Sequence, residues 1–208
     1  MLVLLALSPS LAGVVQLAEL AGGASATPEN ARFVAMPVPI VLHVLAALPF
    51  GIVGAFQFSP GLRRRSSFWH RSAGWVLLPL GAVTAVTGLW MTLTYPWPEG
   101  DGIAVFGLRL GFGTAMLVAL MLGVNSLRQR EFVEHGRWMI RAYAIGLGAG
   151  TQVLTHVPWL VLVGQPTEGP RAVLMGAGWV INLIAAEWVI RRHAARRPAV
   201  GLRSTRLR

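Results

Sequence analysis

The chain reads as an all-α, polytopic transmembrane bundle of about six spans. Three observations predict this. Hydrophobic residues make up 54% of the 208 positions and charged residues only 12%, about half the charged share of a soluble domain. The apolar residues gather in blocks of about twenty, the length that crosses a hydrocarbon core as helix. The basic residues fall between those blocks and at the C-terminal end. There is no cysteine, so a disulfide scaffold, a zinc–thiolate site, an iron–sulfur cluster and a covalently attached haem are excluded. All 18 basic residues are Arg; without Lys there is no Schiff base to retinal or pyridoxal phosphate and no Walker-type loop.

The first block, residues 2–21, contains Ser8, Pro9, Ser10, Gln16 and Glu19. The run AGGASA before Thr27 has the small residues of a signal cleavage site, but no basic n-region precedes it. An uncleaved first helix gives six spans with both termini cytoplasmic; cleavage leaves five. Residues 1–26 are therefore read as an N-terminal span with signal-like features. Residues 30–192 form a five-span membrane domain, and 193–208 an Arg-rich cytoplasmic tail. The later blocks run over about 38–58, 73–95, 103–124, 139–163 and 173–190. Their connectors are small and polar (22–35), basic (59–71), acidic and turn-rich (96–102), charged (125–137) and turn-like (164–171).

Arg counts settle the predicted orientation. Fifteen lie on one side: Arg63, Arg64, Arg65, Arg71, Arg128, Arg130, Arg137, Arg141 and the seven from Arg191 onward. Arg32 and Arg171 lie on the other, and Arg109 is inside a span. This is a positive-inside pattern, not a nucleic-acid-binding face. It predicts a multi-pass protein of the bacterial inner membrane whose partner is the lipid bilayer. Glycines recur at close-packing spacing, as at Gly74, Gly81 and Gly88. They either let helices approach or leave room for a flat ring.

An ionisable group in hydrocarbon costs about 2.5–3.5 kcal/mol on insertion scales and persists when something pairs with it. His43, near the outer end of the second span, and His156, near the outer end of the fifth, match in depth to about one helical turn. Gln152 shares a face with His156, and Arg109 lies below the outer end of the fourth span. No acidic residue is expected at the depth of Arg109, so a ligand anion or carbonyl groups must offset it. An inner group gathers His70, His135, Arg141 and Glu187, with Gln57 nearby. Arg141 and Glu187 read as a structural ion pair. Two imidazoles on facing helices beside an Arg are what a b-type haem needs. His43 and His156 are the expected metal ligands, with Arg109, Gln152, His70, His135 and Arg141 as further cofactor-binding candidates. His135 and His156 are separated by about 31 Å if helical, which favours one outer haem over two. Each His also has a bland reading, as a headgroup contact or a buried hydrogen-bonding residue.

The stretches VLHVLAALPFGIVGAFQFSPGLRRR, HRSAGWVLLPLGAVTAVTGLWMTL, DGIAVFGLRLGFGTAM, HGRWMIRAYAIGLGAGTQVLTHVPW and GAGWVINLIAAEWVIRR follow in order. Together they resemble the bacterial integral membrane proteins grouped as domain of unknown function 2306. The resemblance implies a multi-span helical fold and no established activity. A looser similarity runs to membrane b-type cytochromes and ferric-reductase-like proteins, where His70 and Gly74 match a His–x–x–x–Gly helix opening. Three functions follow as expectations. One is electron transfer through a b-type haem, linked to a quinone or a membrane redox partner. Another is a cofactor-free module that binds lipid or a small molecule, or serves as a subunit of a larger complex. The last is proton-coupled transport using Glu187 and Arg141, for which no inverted repeat is found.

Overall fold

The computed structural model describes residues 2–195, the side chain of Arg63 apart. The tail expected over 193–208 therefore lies outside the described residues beyond Ala195. Among the described residues the regular elements are all helices: α1 Leu2–Ala21, α2 Ala31–Ala35, α3 Pro37–Gln57, α4 Pro60–Arg65, α5 Ser67–Thr94, α6 Ile103–Arg128, α7 Phe132–Gly146, α8 Gly148–Leu162 and α9 Glu168–Ala195. Six helical stretches are long and apolar enough to cross a membrane, with α7 and α8 together forming one of them.

Helices α5, α6 and α9 run several residues beyond the expected ends, and two segments differ in kind. The basic connector is itself helical as α4, capped by the Ser59 hydroxyl, which accepts from the Leu62 amide at 3.4 Å. The fifth span is not one helix. It starts at Phe132 and breaks at Leu147 within the glycine-rich run Gly146, Gly148, Gly150. Asn182 of α9 patches the break. Its Nδ2 donates to the Ala144 carbonyl at 3.1 Å, and its Oδ1 accepts from the Thr151 hydroxyl at 2.8 Å. Irregular backbone at this depth survives only where protein or a cavity receives its polar groups.

The break decides the architecture. Around the bundle α1 packs on α3, α3 on α5, α5 on α6, α6 on α9, α9 on α8, and α8 back on α1. Helix α7 packs on α3, α6 and α9, inside that ring. Its residues Ala142, Tyr143, Ala144 and Ile145 are buried in succession, which a rim helix cannot achieve. At Leu147 the chain steps outward, and α8 joins the rim with Leu154, Val161 and Leu162 exposed. The Arg-rich half is thus filled by α7, while the Arg-poor half has no central helix.

The packing below the break is tight. Phe50 of α3 fits between Gly81 of α5 and Gly146 of α7, where a Cβ would come within 2.7 Å and 2.8 Å of its ring. The Tyr143 hydroxyl donates to the Gly51 carbonyl at 2.6 Å. Helix α1 is held by backbone proximity. Pro9 has no N–H to offer the Leu5 carbonyl, and that oxygen lies against Gly150, where a Cβ would collide with it. On its other flank Gly13 meets Val44 and Ala6 meets Gly51. Helix α1 stands between α3 and α8, which have little contact with each other.

Candidate functional site: a central cavity in the Arg-poor half

The missing central helix leaves a cavity of about 440 Å³, within the range of small-molecule sites. Its floor is Ile145, Gly146 and Leu147 at the helix break. Its walls include Ala6 and Pro9 of α1, Val44 and Ala47 of α3, Ala85 and Gly88 of α5, Met116 of α6 and Trp179 of α9. Toward the Arg-poor end it is framed by Arg32, Phe33, Tyr95, Trp97 and Arg109.

His43 is the only imidazole on this lining. Its Nδ1 lies 3.0 Å from the Thr84 carbonyl oxygen and 3.1 Å from the Thr87 hydroxyl oxygen. The Thr87 hydroxyl donates at 2.6 Å to the Val83 carbonyl. Both neighbours of Nδ1 are therefore acceptors, so Nδ1 carries the proton and donates. That leaves Nε2 as a lone-pair acceptor in the neutral ring, and it has no hydrogen-bond partner among the described residues. Gly88 lies beside the ring: a Cβ there would sit in ordinary contact, 3.5 Å from His43 Cε1.

Arg109 also lines the cavity, and here the expectation of no acidic partner is corrected. Its Nη1 lies 2.5 Å from Asp101 Oδ2, an ion pair without the alignment of a hydrogen bond. The other Asp101 oxygen accepts from Arg171 Nε at 2.5 Å. The connector 96–102 makes this reach possible. The Asp101 amide donates to the Pro98 carbonyl at 3.0 Å, Gly100 turns at φ 77°, and the Asp101 side chain is left 1% exposed. A long Arg side chain rising toward the span end completes the contact.

Arg32, on the short helix α2, joins these charges without an ion-pair partner among the described residues; its guanidinium lies 4.6 Å from the centre of the Phe33 ring. Burial, then the like charge of Arg109, lowers its pKa from the usual arginine range, and Asp101 partly offsets this. The Tyr95 hydroxyl donates to the Met36 carbonyl at 2.7 Å. Burial raises the pKa of this phenol, so it stays a neutral donor. Ser10, Thr84 and Thr92 all return their hydroxyl protons to carbonyls of their own helices.

The remaining predicted residues divide clearly. Gln152 lines the cavity and donates from Nε2 to the Met175 carbonyl at 3.1 Å. His156 does not line it. Its Nδ1 donates to the Gln152 carbonyl at 2.7 Å, one turn back on its own helix. The expected face-to-face His43–His156 pair is not formed. The two residues stand on α3 and α8, with α1 between, because the break at Leu147 carries α8 to the rim. The cavity therefore offers one imidazole where a bis-His haem needs two, and the residues present do not fit that group. Among the described residues no cluster of three metal-ligating side chains occurs.

At the Arg-rich end, Arg141 is engaged by Glu187 through two contacts, Nε to Oε1 at 2.6 Å and Nη2 to Oε2 at 3.1 Å, as the sequence reading anticipated. His135 donates from Nδ1 to the Gly123 carbonyl at 2.8 Å, tying α7 to α6. His70 lies in the first turn of α5 and Gln57 at the end of α3; none of these lines the cavity. The sequence reading missed Arg32, Tyr95 and Asp101 as members of the site. Asp101 had one signal, being the sole Asp of the chain.

No curated protein and no solved structure matches this chain. The model of the family described as "Predicted membrane protein (DUF2306)" matches residues 40–190. That covers most of the chain, from within α3 through most of α9, and every residue quoted above for the resemblance to the 2306 group, save the last two, Arg191 and Arg192, falls within it. The chain belongs to that family of membrane proteins.

Proposed function

We propose that this protein binds an amphipathic small molecule of the bilayer, such as a quinone or a lipid, in its central cavity. The ligand's polar end lies between Arg109 and His43, and its apolar body extends toward the break at Leu147. The observation that carries this reading is the state of His43. Its donor is spent on Thr84, and its open nitrogen is an acceptor on the wall of a mostly apolar cavity. Such an edge asks for a hydroxyl or N–H from a ligand. Arg109 supplies the complementary donors, since only Nη1 is engaged by Asp101. Apolar walls with a few convergent polar groups are the usual composition of a small-molecule site.

The test uses the full chain in nanodiscs, titrated with a brominated long-chain amphiphile. Bromine quenches Trp97 and Trp179, which line the cavity. Saturable quenching that disappears in Gly88→Leu, with the melting temperature unchanged, is expected. Quenching that is unaltered in Gly88→Leu overturns the proposal. So does a Soret band in the purified protein that vanishes in His43→Ala, which assigns the cavity to haem instead.

A further inference from the structure

Charge at the cavity mouth goes further than the reading above, on which this inference rests. Arg32, Arg109 and Arg171 gather around Asp101, and among the described residues it is the one carboxylate in ion-pair contact with any of the three. Asp101 is divided between Arg109 and Arg171, one oxygen to each. Arg32 has neither oxygen, and its guanidinium carbon lies over the Phe33 ring. The other acidic groups at this end, Glu19, Glu29, Glu99 and Glu168, do not line the cavity, and neither does Asp101. The lining therefore presents two guanidinium groups and no carboxylate, directly above apolar walls.

Three guanidinium groups face one ion-paired carboxylate, and Glu168, set against Gly102, is in ion-pair contact with none of them, which leaves positive charge uncompensated at the edge of a low-dielectric space. Holding like charges together there is unfavourable unless an anion joins them. Guanidinium is the side chain best matched to a two-oxygen acid, through paired N–H donors. A small mobile anion would satisfy the charge but leave the apolar depth below it unfilled. An acidic head on a hydrocarbon chain satisfies both.

We propose that the cavity is selective for an anionic amphiphile, whose carboxylate or phosphate monoester is held by Arg32 and Arg109 at the mouth, whose hydroxyl or N–H, where it has one beside the acid, meets His43, and whose chain runs inward past Val44 and Gly88. Arg32 is the specificity-determining residue. Arg109 is shared between ligand and Asp101, and Arg171 holds Asp101 in place.

The experiment compares a brominated long-chain fatty acid with the corresponding brominated alcohol, by Trp quenching of the full chain in phosphatidylcholine nanodiscs. The ratio of the two affinities is measured for the wild type and for Arg32→Gln, so that partitioning into the bilayer cancels. The acid is expected to bind about tenfold or more tightly than the alcohol in the wild type, the size of a charge-assisted contact. In Arg32→Gln that preference falls toward unity while affinity for the alcohol and the melting temperature hold. An unchanged preference in Arg32→Gln overturns the proposal. So does competition by acetate or inorganic phosphate at concentrations as low as those of the fatty acid, which would mark a small-anion site. Equal binding of acid and alcohol overturns this inference and leaves the amphiphile-binding reading standing, whereas no saturable quenching by either removes both.

Discussion

Asp101 Oδ2 lies 2.5 Å from Arg109 Nη1, joining the connector 96–102 to the interior of α6. The same carboxylate, on its other oxygen, anchors the start of α9 through Arg171. One nearly inaccessible side chain thus organises the rim of the cavity. Removing its charge leaves two guanidinium groups facing each other.

Asp101→Asn is therefore expected to destabilise the protein by about 2 kcal/mol, the scale of a hydrogen bond to a charged group. The partial exposure of both Arg side chains, 29% and 23%, keeps the loss below that of a fully buried pair. Thermal unfolding in detergent measures it. Glu99→Gln, a change on the same connector at an exposed position, should leave the transition unmoved.

His43→Phe keeps a ring in the space beside Gly88 but removes both the bond to Thr84 and the open acceptor. A loss of about 1 kcal/mol in stability is expected from the hydrogen bond. Amphiphile affinity should fall by a larger factor, about tenfold. If the quenching curve of His43→Phe overlays the wild type, His43 has no part in binding.

Helix α1 should stay docked as the wall between α3 and α8. A Cβ at Gly13 would lie 3.6 Å from Val44 Cβ, within the separation that a disulfide spans. The chain has no cysteine of its own, so Gly13→Cys with Val44→Cys should cross-link cleanly on mild oxidation. Adding Gly150→Val, which pushes on the Leu5 carbonyl, should lower the cross-linking yield. It should also cost about 1–3 kcal/mol, as overpacking does.

The Arg count predicts an orientation that labelling can test. In intact cells a membrane-impermeant thiol reagent should modify Glu99→Cys and spare Ser66→Cys, placing the Arg-poor end outside. The opposite pattern would place the Arg-poor end, and with it the cavity mouth, on the cytoplasmic side.

Much of the fold is legible in the residues. The six apolar blocks are read from length and hydropathy alone because each helix closes its own backbone hydrogen bonds. The Arg141–Glu187 pair is readable for a related reason: two opposite charges at similar depth in hydrocarbon have few other partners. The helix break was hidden. Leu147 lies in an unbroken apolar run, and the surrounding glycines look the same whether they serve packing or a kink.

Sequence alone determined the membrane-spanning character and where along the chain the apolar spans lie, because these depend on the distance along a helix axis. Direction around the axis is another matter. Whether His43 meets His156 or Thr84 depends on which helices are neighbours, and the step at Leu147 decided that by sending α8 to the rim. Asp101 likewise reaches Arg109 only because its connector folds back over the bundle. Depth is a one-dimensional quantity carried by the chain, while the cavity and its mouth exist only once separate helices enclose them.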